Sequence, residues 1–283
     1  MHNIDFFKMS GSGNDFIIVD NSSGIINGDN INDFVEKICQ RKVSVGADGF
    51  ILLQKSDKAD FKWRFFNADG SEAEMCGNGG RCAAMFAYLK GIAGKKMSFE
   101  TLAGLIRAEI LDDRVKLEMP SPESVICDQT LLIEGEKHLV SFINTGVPHV
   151  VKFVSDIDDC EVVQIGRLIR YHDQYKPAGS NANFAYVSGR SNMAVRTYER
   201  GVEDETLACG TGAVASVLIA YLKDMVSSPV AVRTKGGGIL TVHFKHTRDR
   251  FEEVFLEGDA RVIYEGRLWQ DAIITDQFGN RES

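Results

Sequence analysis

Residues 76–90 read CGNGGRCAAMFAYLK and residues 209–223 read CGTGAVASVLIAYLK. The two stretches align without a gap at an offset of 133 (209 − 76), and seven of the fifteen positions are identical. The same offset carries Gly13 onto Gly146, Gly46 onto Gly179, Thr101 onto Thr234 and Gly104 onto Gly237. Two alanine-rich helices would share a few alanines by chance. They would not share one register running from Gly13 to Gly104. Self-similarity at a fixed period is a property of the whole fold, so the chain is read as an internal duplication.

Each half reads as one α+β unit. Ile31, Phe34, Val35 and Ile38 form an i, i+3, i+4, i+7 apolar stripe, and Ile165, Leu168, Ile169 and His172 hold the equivalent places one residue out of step. Residues 16–20, 50–54, 62–67 and 105–111 are rich in β-branched and aromatic residues and read as strands. The repeated helices are expected to start near Gly79 and Gly212. The expected fold is therefore α+β, with two pseudo-symmetric domains, each a mixed sheet wrapped around a central helix. Met119-Pro-Ser-Pro122 reads as the linker. It divides the chain into an N-terminal half, 1–120, and a C-terminal half, 121–261, with segment 262–283 free to rejoin the first. At 283 residues and 44% hydrophobic, the chain has apolar material for two cores.

Composition narrows the function classes. The formal net charge is −8, with no clustered basic face, which argues against nucleic acid as a partner. No run of about 18 apolar residues occurs, so no transmembrane helix is expected. The N-terminus, MHNIDFFKMSGSGNDF, lacks the basic and apolar regions of a secretion signal, and a cytoplasmic protein is expected. The six cysteines are then read as thiols rather than as three disulfides. No CxxC pair occurs, and Cys76 and Cys82 are six apart, which is not a usual zinc spacing, so no metal site is expected.

Two of these cysteines stand out by position. Cys76 and Cys209 each precede a glycine-rich turn that opens a helix: Gly77-Asn78-Gly79 and Gly210-Thr211-Gly212. The first turn of a helix presents unpaired N–H groups and about half a positive charge. A thiol placed there is shifted towards thiolate, and the same N–H groups can hold a carboxylate. One such turn is a weak signal. A duplicated pair, brought together about a pseudo-twofold axis, would set one thiol on each side of a cleft. That arrangement suits stereoinversion: a base removes an α-proton from one face and an acid returns a proton to the other. Cys39, Cys82, Cys127 and Cys160 are read as structural.

The ordered blocks KMSGSGNDFIIVD (8–20), GADG (46–49), FFNADGSEAEMCGNGGRC (65–82), NTGVPHVV (144–151), NANF (181–184) and ERGVEDETLACGTGA (199–213) resemble the diaminopimelate epimerases over nearly the whole chain. The resemblance implies an isomerase that interconverts LL- and meso-diaminopimelate in lysine and cell-wall precursor biosynthesis. It implies catalysis by Cys76 and Cys209 without pyridoxal phosphate, metal or other cofactor, in a homodimer. It implies substrate binding by Asn14, Asn67, Gly77, Asn78, Asn181, Glu199, Arg200, Gly210 and Thr211, with Glu199 and Arg200 at the distal end of the substrate. His149 and Glu199 are similar to residues that tune the cysteine pKa values. Read as residues alone, these positions stay open. Asn14 and Asn181 fit ordinary turns, Glu199-Arg200 fits a solvated pair, and His149 fits a satisfied core histidine.

Two positions depart from the family pattern. Val147 stands where an asparagine is common, and Gly49 where some members have a glutamine. Each change takes a polar side chain from the expected pocket. Three other functions compete. A proline or hydroxyproline racemase would share the two thiols but has no use for Glu199 and Arg200. A cysteine hydrolase using Cys76 or Cys209 with His149 leaves the duplicated turn unexplained. A nucleotide-binding module would need a third glycine that GSGNDF lacks.

Overall fold

The computed structural model describes residues 4–26, 30–248 and 250–273. Residues 274–283, the end of the segment expected to rejoin the first half, lie outside the described residues. The chain divides into two compact units: Met1–Leu117 with Asp259–Ser283, and Glu118–Gly258.

The first unit contains strands β1 (Ile4–Gly11), β2 (Asn14–Asp20), β3 (Gly49–Gln54), β4 (Phe61–Asn67), the short β5 (Glu72–Ala73), β6 (Lys96–Thr101), β7 (Gly104–Leu111) and β8 (Arg114–Glu118). The second contains β9 (Glu123–Ile133), β10 (Glu136–Asn144), β11 (Pro148–Phe153), β12 (Asn181–Gly189), β13 (Asn192–Glu199), the short β14 (Asp204–Thr206), β15 (Val230–Arg233), β16 (Ile239–Thr247) and β17 (Arg250–Asp259). The last strand, β18 (Arg261–Leu268), pairs antiparallel with β1.

The two sheets have the same plan. In the second unit the order is β9-β10-β11-β12-β13-β15-β16-β17, with β11–β12 and β13–β15 parallel and the other neighbours antiparallel. In the first the order is β18-β1-β2-β3-β4-β6-β7-β8, with β2–β3 and β4–β6 parallel and the rest antiparallel. β18 thus takes in the first unit the place that β9 takes in the second. Without it the edge of β1 would be left as a row of unpaired backbone groups.

Four helices complete the units: α1 (Ile31–Cys39), α2 (Gly77–Leu89), α3 (Val162–Arg170) and α4 (Gly210–Leu222). Strand alternation sends Phe16 and Ile18 to the core around α2, and Ile17 and Val19 to the core around α1. In the second unit Val151 joins the core around α4, while Val150 joins the core around α3. α1 and α3 are amphipathic and cover one face of their sheets. Apart from Asn78 and Arg81 in α2, α2 and α4 carry small and apolar residues all round, and Cys82 to Ala87 and Gly212 to Ala220 are buried without a break. That pattern is the mark of a central helix.

Three expectations need correction. α2 and α4 start at Gly77 and Gly210, two residues before Gly79 and Gly212, because the glycines themselves take helical conformation and the cysteines become the N-caps. His172 does not continue the stripe of α3. The helix ends at Arg170, and His172 caps a following 3-10 turn by accepting the Gln174 N–H at 3.2 Å. Gly49 is closed off. A Cβ there would lie 2.6 Å from Cε2 of Phe65 and 2.9 Å from the Phe66 carbonyl oxygen, so the neighbouring strand leaves no room for a side chain.

The glycine register has a conformational cause. Gly13 and Gly146 both have φ of +98°, and Gly46 and Gly179 have +72° and +67°. L-residues with a Cβ rarely adopt this region, so each copy of the turn retains glycine. A second repeated device is a forked ion pair on neighbouring strands. Arg64 holds Glu72 through two bonds of 2.7 and 2.8 Å, and Arg196 holds Glu205 through two of 2.6 and 2.8 Å.

Candidate functional site

In the first unit Cys76 has extended backbone and caps α2. Its Sγ accepts the Gly79 N–H at 3.4 Å, and its carbonyl accepts the Gly80 N–H at 2.7 Å. A Cβ on Gly80 would lie 2.8 Å from Leu117, so this turn seats tightly on its own core. The sulfur therefore lies against the positive end of a buried helix, where negative charge is favoured. Cys82, six residues further on, is fully buried, and burial pushes its thiol strongly up. Burial likewise pushes Cys39 up to about 12. Neither is disposed to be a nucleophile or base.

A continuous hydrogen-bonded chain runs from the turn towards the surface. Arg81 is fully buried, and it donates to Asn78 Oδ1 and Ser12 Oγ, both at 2.8 Å, and to the Asp259 carbonyl at 3.3 Å. Asn78 Nδ2 donates to Asn14 Oδ1 at 2.7 Å, and Asn14 Nδ2 donates to Asp48 Oδ2 at 3.0 Å. Asp48 is held in turn by Arg41 at 2.8 Å. A guanidinium can only donate and a carboxylate can only accept, so the two amides between Arg81 and Asp48 have one consistent orientation. Asp15 adds to the outer end. Burial would raise its pKa, but bonds from Arg41 and Lys8 outweigh that and hold it near about 2. Lys8, itself buried, also donates to the Gly46 carbonyl.

Where the repeats differ here, they differ together. The offset sets Val147 opposite Asn14 and Val214 opposite Arg81, so the polar pair of one unit is an apolar pair in the other. The second unit keeps the link by other means: Thr145, opposite Ser12, donates to the Thr211 carbonyl at 3.2 Å.

In the second unit Cys209 is 8% exposed and caps α4, with its Sγ 3.5 Å from Thr211 Oγ1. His149 is fully buried on β11. Asn183 Nδ2 lies 3.1 Å from its Nδ1, and Nε2 has no hydrogen-bond partner among the described residues. Asn181 is clamped by backbone: its Nδ2 donates to the Pro148 carbonyl at 2.9 Å, and its Oδ1 accepts the Arg200 N–H at 2.8 Å. Arg200 reaches the Ala178 carbonyl at 3.3 Å. Burial raises the pKa of Glu199. Within this unit His149 and Asn181 are register partners on adjacent strands, and Asn181 ties Glu199-Arg200 to them.

In the first unit Cys76, Gly77, Asn78 and Asn14 are joined by the network above. Asn67 is exposed at the end of β4 and bonds Ser71 at 3.0 Å rather than any of the other named residues. Sequence reasoning passed over four residues of this machinery: Arg81, Asp48, Asn183, and Thr197, whose hydroxyl donates to Asn183 Oδ1 at 3.0 Å. Arg81 left a signal in the repeat, as a charge within a helix whose copy has valine. Asn183 sits two residues from Asn181 and so shares its face of β12.

Two predictions arise from this geometry. Burial drives His149 from 6.5 down to about 3. Below about pH 6.5 the unfolded chain takes up a proton that the folded chain refuses, so this contribution is present above 6.5 and is lost as pH falls towards 3. The expected slope from this residue alone is about 1.4 kcal/mol per pH unit. Urea denaturation at pH 7.5 and 5 measures it, and a His149→Gln chain should show a shallower loss. Equal slopes in the two chains would refute the assignment. Second, a Cβ at Gly212 would lie 2.3 Å from Asn183 Oδ1. Gly212→Ala should cost about 1–3 kcal/mol of stability despite the better helix propensity of alanine, read as a lowered denaturation midpoint.

The fold defines a structural class with known members. A phenazine-biosynthesis protein of the PhzF family from Bacillus anthracis superposes with a TM-score of 0.73 at 17% identity, covering 95% of this chain and 100% of that one. A probable proline racemase from Agrobacterium radiobacter gives a TM-score of 0.70 at 16% identity, covering 94% and 93%. At such identities the likeness is one of fold. The sequence goes further: the diaminopimelate epimerase family model matches residues 6–125 and 141–263. Diaminopimelate epimerase from Aquifex aeolicus is 46% identical over 281 residues, 95% of this chain and 99% of that protein. The chain belongs to the diaminopimelate epimerase family.

Proposed function

We propose that the protein epimerises LL-diaminopimelate to meso-diaminopimelate, using Cys76 and Cys209 as the two acid–base groups and no cofactor. The observation that carries the reading is the repeated placement of a cysteine as N-cap of the buried central helix in each unit. One thiolate takes the α-proton. The electron pair left on carbon is delocalised into the substrate carboxylate, whose developing charge is stabilised by the first-turn N–H groups of Gly77-Asn78 and Gly210-Thr211. The other thiol returns a proton to the opposite face, and the roles reverse for the reverse reaction. Asn14, Asn67, Asn181, Glu199 and Arg200 supply amides, one carboxylate and one guanidinium, which suit the zwitterionic distal end of the substrate. This distal recognition favours diaminopimelate over proline or hydroxyproline. A hydrolase with His149 as general base is disfavoured, because the buried imidazole has its Nδ1 engaged by Asn183.

The test is proton exchange. The protein, free of added pyridoxal phosphate and metal, is incubated in D₂O with LL- or meso-diaminopimelate and followed by NMR. Interconversion with deuterium at the inverted carbon supports the reading. No exchange into either isomer, or turnover of proline instead, would sink it. The reading extends to a cytoplasmic homodimer, which sedimentation at assay concentration tests. Among the described residues no helix is long and apolar enough to cross a membrane.

A further inference from the structure

The buried imidazole of His149 can carry its proton on either ring nitrogen, and its surroundings decide which. Asn183 Nδ2 donates to the Val150 carbonyl at 2.9 Å. A backbone carbonyl only accepts, so this bond fixes which end of the Asn183 amide is nitrogen. The second proton of that nitrogen is directed at His149 Nδ1, 3.1 Å away. The amide oxygen accepts from Thr197 Oγ1 at 3.0 Å. Asn183 and Thr197 are 1% and 3% exposed, so water does not compete. Gly212, in the turn after Cys209, leaves the space that the Asn183 oxygen occupies.

We infer that Asn183 is a positioning residue that locks His149 in the neutral Nε2–H tautomer, making the imidazole a hydrogen-bond donor through Nε2 and not a base. Nδ1 must accept, because its neighbour donates. The remaining ring proton must then sit on Nε2. That N–H is buried and has no partner among the described residues. An unmet buried donor is costly. It is therefore a group held ready for an acceptor atom with negative charge, such as a carboxylate oxygen or a thiolate. Burial keeps the ring neutral, in agreement with this assignment. The pairing also gives the buried Asn183 side chain a partner for both ends of its amide.

The catalytic consequence rests on the proposed epimerase reading; the tautomer does not. The experiment therefore has two arms. In the first, protein with ¹⁵N-labelled histidine and asparagine is examined by NMR near pH 7, with the His149 signals assigned by their loss in His149→Gln. The expected result is a pyridine-like Nδ1, a pyrrole-like Nε2 and a scalar coupling between Asn183 Nδ2 and His149 Nδ1 across the hydrogen bond. A protonated Nδ1, in the neutral or the charged ring, overturns the inference, and this measurement needs no variant at the buried position. In the second arm, Asn183→Asp presents an acceptor to Nδ1. The ring should reverse its tautomer or become charged, and kcat should fall by about 10–100-fold, the loss typical when the partner that orients an active imidazole is changed. A folded variant that keeps the Nε2–H signature shows that Asn183 does not set the tautomer. If wild type shows the predicted NMR signature but does not turn over diaminopimelate, the proposed function fails and the inference about His149 stands.

Discussion

Replacing either Cys76 or Cys209 with alanine is expected to lower the rate of diaminopimelate inversion by about 10³-fold or more, since an acid–base group with no substitute is removed. The two variants should also differ from each other. Each retains one thiol and so can wash deuterium into one stereoisomer with retention, LL for one variant and meso for the other, while losing inversion in both directions. Serine should not rescue either site, because a hydroxyl is a far weaker acid than a thiol and a poor base near neutral pH. The measurement is stereochemically resolved NMR of both isomers in D₂O. Near-normal inversion by either alanine variant would show that the two-base mechanism is wrong. Equal wash-in by both variants into both isomers would show that the thiols do not act on separate faces.

The second large effect is structural. Arg81→Ala is expected to cost about 3 kcal/mol or more in the unit that holds α2. The fully buried guanidinium makes four bonds, to Asn78 Oδ1, Ser12 Oγ and the carbonyls of Gly77 and Asp259. Burial disfavours its charge, yet those acceptors would be left buried without their donor, and the hydrocarbon stem would leave a cavity. Because Arg81 also fixes the Asn78 amide, and through it Asn14, KM should rise in the variant in addition to the lowered urea midpoint. Arg81→Met restores volume but not donors, so it should recover part of the midpoint and none of the KM. A variant as stable as wild type would mean that water or rearranged side chains satisfy the helix start without Arg81.

The difference between these two sites shows where sequence reasoning reaches and where it stops. The two cysteine turns were legible because they are local and repeated. A glycine-rich helix start is a few residues long, and a second copy at a fixed offset turns a weak motif into a strong one. The central helices were legible for the same reason, as continuous runs of small apolar residues. The helix starts were misplaced by two residues because the capping residue is set by backbone conformation, and glycine allows either side of the boundary. His172 fitted the apolar stripe by position and not by chemistry. A polar ring at the helix end found a better use in bonding the next turn.

The network behind the turns was not legible. Arg81 meets Asp259 at a sequence separation of 178, and Asn183 meets His149 at 34. No spacing rule connects such pairs. Burial reverses the ordinary expectation at the first: an arginine inside a helix reads as a surface residue until the sheet closes over it. The packing around Gly49 was not legible either. From sequence this residue is a lost glutamine; in the fold it is a position that the Phe65 ring closes.

By itself, the sequence determined the duplication, the glycine-rich cysteine turns ahead of the two central helices, and the family. All of these rest on local backbone chemistry or on the chain's likeness to itself. Only the tertiary structure decided that β18 completes the sheet of the first unit, that a buried arginine orders the asparagines beside Cys76, and that Asn183 sets the proton on His149. In each of these cases two distant segments meet where water is excluded. There, whether a donor faces an acceptor or another donor decides the outcome, and that relation exists only once the chain has folded.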